Sequence, residues 1–334
     1  MVNAELIYNP RGGQVVVRRE LEAVLAFLTS NGWSVSYRET TKPAEATELA
    51  RDAAQKGVEV VIAAGGDGTV SEVAGGLLHT DTVLGVLPVG TTNSWAIQMG
   101  IPALNPYLLS TGLAKLVADL ETRMERPIPA NYYRRVLLDA ARVLVEGNTV
   151  AVDMGEVSGR TFLMWAGIGL DAAVLGSIPP KEKAALGSWA YWLKALGAVG
   201  RRCSTDVQLS WDGNLTSVNT PLIVVSNIQL YGGIMPIGAR AQVNDARLDV
   251  CIFKGDGFFT FVQHGLKVLS RQHVKDPKTE YYQCAEIVIE SACAMPVHVD
   301  GEPFTATPVT IRVIPSALKT IVPKKAPRNL FGRT

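Results

Sequence analysis

The residues whose types and spacing could do chemistry begin with Gly65-Gly66-Asp67-Gly68-Thr69. This block follows a continuous β-branched and alanine run at 58–64 and precedes the helix-like Val70-Ser71-Glu72-Val73-Ala74. A strand, a glycine-rich turn and a helix start form a place for a phosphate chain. Glycine lets the backbone approach a ligand, and the first N–H groups of a helix have no intrahelical partner and favour an anion. Asp67 would repel phosphate on its own. Its presence makes sense if a Mg²⁺ lies between the two charges, or if the carboxylate takes a proton from a nucleophile. The chemistry this predicts is phosphoryl transfer.

The elements that must position this block alternate strand and helix over the first ~120 residues, the pattern of a parallel α/β sheet. A short strand at 5–8 ends in Asn9-Pro10-Arg11-Gly12-Gly13. A helix is expected over 15–31, a strand over 33–39, and a helix from Pro43 to about Lys56 with Thr41 as its cap. The strand at 83–87 runs into Pro88-Val89-Gly90-Thr91-Thr92-Asn93. In a doubly wound sheet such loops share the edge where ligands bind. The charged, proline-bearing segment 121–130 marks a domain boundary. Beyond it, residues 136–157 read as strands with a turn at Gly147-Asn148, and Asp212-Gly213 signals a hairpin. Short strands follow at 222–226, 248–253, 286–290, 297–299 and 309–314, interrupted by one helix at 181–199. The fold class expected is an α/β N-terminal domain with a parallel, Rossmann-like sheet (1–125). A mostly antiparallel β-sandwich (130–318) and a loosely held basic tail (319–334) follow it.

Composition bounds the rest. The chain has 334 residues, 47 % of them apolar, and a formal net charge of +1. No basic stripe marks a nucleic-acid partner. Four scattered cysteines (Cys203, Cys251, Cys284, Cys293) suit free thiols in a reducing compartment rather than a metal site. No signal-peptide pattern and no apolar run of ~18 residues is present, so a cytoplasmic protein that meets membranes only at their surface is expected.

Further blocks follow in order: Gly167-Ile168-Gly169-Leu170-Asp171-Ala172, Tyr231-Gly232-Gly233 and Asp300-Gly301-Glu302. Together with the first three, they resemble the diacylglycerol kinase and sphingosine kinase catalytic family, within the NAD kinase-like superfamily, over nearly the whole chain. The resemblance implies two domains across a cleft, with ATP on the first, a lipid entering the second, and Mg²⁺ as the metal. It implies nucleotide contacts from Asn9, Arg11, Thr40 (Thr41 being the local alternative), Gly65, Gly66, Gly68, Thr69, Gly90, Thr91 and Asn93. It adds a basic residue at Lys181 or Lys183. Asp67, Asp300 and Glu302 form the implied catalytic set, with Asp67 also a metal ligand. Either Asp67 or Asp300 can be the base. Asp171 is implied to meet the lipid head group, and Trp189, Trp192 and Leu193 could line an acyl pocket. Asp245 matches a structural Mg²⁺ position. A homodimer and a peripheral membrane habit are also implied.

Three departures from the family pattern stand out. Ser94 replaces an acidic residue common in diacylglycerol kinases, which bears on substrate more than on activity. Gly232-Gly233 stands where three glycines are common, and Ala246 stands where glycine usually follows Asp245. The four histidines form no constellation in the sequence, and His298, two residues before Asp300, reads as structural. Neither a G-x-S-x-G elbow nor a Walker A motif occurs. A NAD kinase-like enzyme and a catalytically silent lipid- or nucleotide-binding protein are the competing readings.

Overall fold

The computed structural model describes residues 1–10, 17–103, 131–176 and 204–332. Arg11, Lys181, Lys183, Trp189, Trp192 and Leu193 lie outside the described residues, as does the expected 181–199 helix.

The chain divides into two compact units. One comprises 1–152 with 317–328, the other 153–316 with 329–334. In the first unit, β1 (Val2–Tyr8), α1 (Arg18–Ser30), β2 (Trp33–Glu39), α2 (Glu45–Gln55), β3 (Val60–Gly65), α3 (Asp67–Gly76), β4 (Val83–Pro88), α4 (Ser94–Met99) and α5 (Tyr132–Glu146) follow in order. The strands pair in parallel in the order β2-β1-β3-β4. Every residue of β3 is buried, so its sequence is apolar throughout rather than alternating. Parallel pairing puts the carboxyl ends of all four strands, and the loops that follow them, on one edge.

Two expectations change here. Residues 136–146, expected as strand, are helix α5, with Val136, Leu137, Ala140, Ala141 and Leu144 buried. That spacing is the 3.6-residue period of one helix face, packed on α1. Thr41 is not the cap of α2. Ala44 holds the cap position in the left-handed region, and Glu45 reaches back to accept the Thr41 N–H and O–H.

Strand β5 (Asn148–Val157) runs across the unit boundary, and the second unit further contains β6 (Arg160–Phe162), β7 (Trp165–Gly169), α6 (Leu170–Gly176), β8 (Thr205–Trp211), β9 (Asn214–Thr220), β10 (Leu222–Ser226) and β11 (Leu248–Phe253). Then come α7 (Phe258–Leu269), β12 (Thr279–Cys284), β13 (Glu286–Ser291), β14 (Pro296–Val299), β15 (Glu302–Ala306) and, at the far end, β16 (Val309–Val322), which also runs across the boundary. One antiparallel sheet runs β12-β11-β10-β7-β14-β15. The other carries β16-β13-β8-β9, also antiparallel. Inward residues of both, such as Ile168, Val225 and Val250 from the first and Leu209, Ile287 and Ile311 from the second, close one core. This is the expected sandwich.

The C-terminal stretch differs from the expected loose tail. β16 continues to Val322, Lys319 and Thr320 pair in parallel with β4, and the Val243 N–H donates to the carbonyl of buried Leu330. The unit boundary at 152 also lies later than the expected 125–130, because α5 belongs with the parallel sheet.

Candidate active site

The loops at the carboxyl edge of the parallel sheet fold onto one another through backbone contacts. Asn9 leaves β1 with its N–H on the Ala64 carbonyl, and its side-chain amide donates to Thr69 Oγ1 at 3.1 Å. Thr40 leaves β2 buried, its N–H on the Tyr8 carbonyl. The Val89 N–H donates to the Gly65 carbonyl at 3.1 Å, joining the loops after β3 and β4. Asn93, at φ +55°, accepts the Gly90 N–H and donates back to the Gly90 carbonyl at 2.7 Å. Thr91, between them, is exposed.

Two glycines are required by space. A Cβ at Gly65 would lie 2.4 Å from the Thr69 side chain, and one at Gly90 would lie 2.3 Å from Gly66 Cα. Gly68 is different: nothing lies within 4 Å of the Cβ it lacks. Among the described residues, the first turn of α3 therefore has open space at Gly68, at a helix start of the kind that suits an anion.

Asp67 is the first residue of α3 and is half-buried. Its Oδ2 accepts the Ser94 N–H at 2.9 Å and its Oδ1 accepts the Trp95 N–H at 3.2 Å. The carboxylate is thus aimed by the backbone that opens α4. These two bonds do not by themselves exhaust its roughly four lone-pair sites. Ser94 holds Asp67 through its backbone N–H.

Asp300, in the second unit, is held more tightly. Its Oδ2 accepts the Leu163 N–H at 2.8 Å, and its Oδ1 accepts the N–H groups of Met164 and Trp165 at 3.0 and 2.9 Å. Three consecutive backbone donors fix the turn on which the 300–302 block sits. Glu302 is exposed and ion-paired with Arg160, whose guanidinium also lies 5.2 Å over the Phe304 ring. The sequence reading did not single out Arg160.

Asp171, the first full turn of α6, belongs to a constellation that the sequence reading missed. Its Oδ2 accepts the Tyr231 O–H at 2.8 Å and lies 3.0 Å from His298 Nε2, while Tyr231 Oη and His298 Nε2 are 3.0 Å apart. Its Oδ1 accepts the Ala172 N–H. The Gly301 N–H donates to His298 Nδ1 at 3.2 Å, which assigns the ring proton to Nε2 and its donation to Asp171. His298 is 0 % exposed and Asp171 5 %. Gly167 leaves the room they occupy, since a Cβ there would sit 2.0 Å from Asp171 Oδ2. The expectation that the histidines form no constellation is therefore corrected for His298. Its partner lies 127 positions away, a distance no local spacing reveals. The available signal was the glycine-rich approach at 166–173 together with a histidine in the inward register of an apolar strand.

Among the described residues, no group of three or more His, Cys, Asp or Glu side chains is arranged to hold a metal ion. Mg²⁺ in phosphoryl-transfer sites is often held by one or two carboxylates with substrate phosphates supplying the rest, so a single aimed carboxylate such as Asp67 fits it. Asp245 is a separate case. Burial pushes its carboxyl above the usual range, and the nearby charge of Asp153 adds to that shift. Burial raises Asp153 as well. Ala246 adopts φ +57°, the conformation a glycine would supply, and its N–H donates to Asp153 Oδ2 at 2.7 Å. The turn therefore places half-buried Asp245 beside the buried Asp153, whose two oxygens accept the Ala246 and Ser316 N–H groups.

Comparisons with known proteins agree with this architecture. Residues 3–122 match the model of the diacylglycerol kinase catalytic domain, and residues 165–322 match that of the YegS C-terminal NAD kinase beta sandwich-like domain. A diacylglycerol kinase of Bacillus subtilis (strain 168) is 30 % identical over 304 residues, covering 90 % of each chain. One from Staphylococcus carnosus (strain TM300) is 27 % identical, covering 96 % of this chain and 95 % of its own. A crystal structure of a diacylglycerol kinase from Bacillus anthracis str. Sterne superposes with a TM-score of 0.69 at 22 % identity, covering 96 % of this chain and 97 % of its own. Another structure from that organism reaches 0.76 at 24 %, covering 96 % and 95 %. Full-length coverage on both sides, with both domains matched in order, means that the chain belongs to the diacylglycerol kinase family and is a lipid kinase.

Proposed function

We propose that this enzyme transfers the γ-phosphoryl group of ATP, with Mg²⁺, to a hydroxyl of a diacylglycerol- or sphingoid-type lipid. The observation that carries this reading is the carboxyl-edge assembly of the first unit. There Asn9 binds Thr69, Gly90 packs on Gly66, and the Asp67 carboxylate is aimed by two backbone N–H groups beside an open helix start. Such a site is preorganised, so catalysis by positioning and charge neutralisation costs little reorganisation.

The N–H groups of Gly68 and Thr69 would bind phosphate oxygens, with Gly65, Gly66 and Gly90 keeping the loops close. Asn9, Thr40, Thr91 and Asn93 shape and line the rest, and Arg11, Lys181 and Lys183 remain proposed phosphate contacts by family likeness. When bound, Mg²⁺ masks charge between the phosphates and Asp67. Asp67 and Asp300 are the proposed carboxylates for the metal and proton roles. Glu302 is ion-paired and serves as a secondary acid at the same block. Asp171, clamped by Tyr231 and His298, would accept a hydrogen bond from the lipid head group, and Trp189 would contact the chain. Asp245 would hold a structural Mg²⁺. The substrate's nature makes peripheral work at a membrane surface part of the same proposal, as is a homodimer.

Radiolabelled ATP and a panel of extracted lipids test it. Wild type is expected to label a diacylglycerol or sphingoid lipid only with Mg²⁺. Asp67→Asn should lose on the order of 10²-fold or more in kcat while still unfolding cooperatively from a native circular-dichroism spectrum. Full turnover in Asp67→Asn, or labelling of NAD in place of lipid, would remove the reading.

A further inference from the structure

Helix α7 has the sequence FFTFVQHGLKVL, apolar over most of its circumference with Thr260, Gln263, His264 and Lys267 on one arc, yet only His264 and Val268 of its twelve residues are buried. Phe259 is 81 % exposed, Leu266 51 %, Phe258 48 % and Leu269 37 %. At about 100° per residue, Phe259, Val262, Leu266 and Leu269 form one stripe, on the far side of the helix from His264 and Val268. An apolar helix face needs a core or another apolar surface to cover it. Here one face packs on the protein, and among the described residues nothing covers the apolar stripe opposite it. Lys267 is the only lysine, arginine or acidic residue in the helix. Around it, Asp276 and Glu280 are each taken up by a lysine, Lys267 and Lys254. Arg271, Lys275 and Lys278, just beyond the helix, are exposed, and among the described residues no carboxylate pairs with them.

We infer that the outer face of α7 is a docking surface for an anionic lipid bilayer, with Phe258 and Phe259 entering the interface and Arg271, Lys275 and Lys278 meeting the head groups. An apolar stripe carrying aromatics beside uncompensated cations is the pattern of an interfacial helix, and anionic lipid complements it in charge. A second copy of this chain is the poorer occupant, because a two-fold contact would bring the same basic segment of both copies towards one another. The inference rests on the lipid-kinase reading only in that the substrate resides in a bilayer. The surface itself is independent of the phosphoryl-transfer residues.

Sedimentation of the full chain with sucrose-loaded vesicles tests it, using phosphatidylcholine with and without phosphatidylglycerol, and neither ATP nor diacylglycerol. Wild type is expected to bind the anionic vesicles and to bind pure phosphatidylcholine more weakly. Phe259→Ser/Leu266→Ser should lose about tenfold or more in partitioning. Lys275→Glu/Lys278→Glu should lose the dependence on anionic lipid. Both should keep the wild-type melting temperature and wild-type turnover of a dispersed short-chain substrate. Wild-type partitioning by the double apolar variant overturns the inference, as does absence of vesicle binding by wild type. A shift from dimer to monomer in the same variant, with vesicle binding intact, assigns the face to a second copy and also overturns it. Should either pair fail to fold, Phe259→Ser alone decides, since that side chain is almost wholly in solvent. Vesicle binding with no lipid phosphorylated would sink the kinase chemistry and leave the docking surface standing.

Discussion

Three acidic side chains of this enzyme are defined by what donates to them. Asp67 is aimed by two backbone N–H groups, Asp300 by three, and Asp171 by a tyrosine, a histidine and its own neighbour's N–H. The sequence shows that each carboxylate lies within two residues of a glycine, which is why all three were legible as candidates. It does not show the donors, because backbone N–H groups carry no residue signature. His298 illustrates the limit, since only folding brings strand β14 beside α6. Removing the hydroxyl in Tyr231→Phe should cost about 1–3 kcal/mol, the penalty for a buried acceptor losing a donor, in chemical denaturation. If Asp171 receives the lipid, the KM for lipid should rise while that for nucleotide stays fixed. A variant with wild-type stability and both KM values unchanged would show that Tyr231 is a bystander. At Asp245, Mg²⁺ is expected to raise the melting temperature of wild type and not of Asp245→Asn. Equal Mg²⁺ response in both would remove that site, whatever the enzyme's turnover.

At the scale of the element, the parallel strands were the easiest part to read, because a strand buried on both faces has no polar positions to confuse it. Helix α5 was the hardest. Its run Val136-Leu137-Leu138 and Val143-Leu144-Val145 carries strand-like residues, but the spacing of the buried set is that of a helix. Its Arg, Leu, Ala and Glu residues favour helix, so local propensity and packing on α1 agree, and the strand expectation gave the valines too much weight. The loops after β3 and β4 make a further testable point. A methyl group at Gly90 would press on Gly66 Cα, which is backbone and cannot rotate aside. Gly90→Ala is therefore expected to cost about 1–3 kcal/mol, as overpacking does, or to push the 65–69 turn away and weaken nucleotide binding. A titration of nucleotide against intrinsic fluorescence, alongside thermal melting, reads both. Unchanged affinity and melting would mean that the two loops do not lie against each other as described. Gly68→Ala, with open space around it, is the matched control and should leave the fold intact.

Across the whole molecule, the two-domain plan was legible because the character of the strands changes, from buried runs to short alternating segments. The return of the chain was not. Residues 317–328 belong with the first unit, and Thr320 donates to the Leu84 carbonyl, a partner 236 positions earlier. The lysines around Ile321 and Val322 gave that stretch the look of a tail. Stability against pH is set by buried charge in the second unit. Burial pushes the Asp249 carboxyl up to about 7, against the lowering effect of hydrogen bonds from Tyr281 and Gln283. Between an unfolded value near 4 and the folded value near 7, the folded protein binds the extra proton. Stability from this group is thus complete at low pH and is lost as pH rises through 7. His264 and His273 act in the opposite sense, since burial lowers both and their neutral folded forms favour higher pH. Wild type alone therefore gives a mixed curve, and the difference between wild type and Asp249→Asn isolates the carboxyl. Asn keeps the volume and an acceptor for Tyr281. The variant is expected to gain on wild type as pH goes from 4.5 to 8, by no more than about 4 kcal/mol, the equivalent of three pH units at 1.36 kcal/mol each. Guanidinium unfolding at the two pH values measures it. A wild-type-minus-variant difference that stays constant over that range would mean Asp249 is already ionised in the folded protein at pH 4.5.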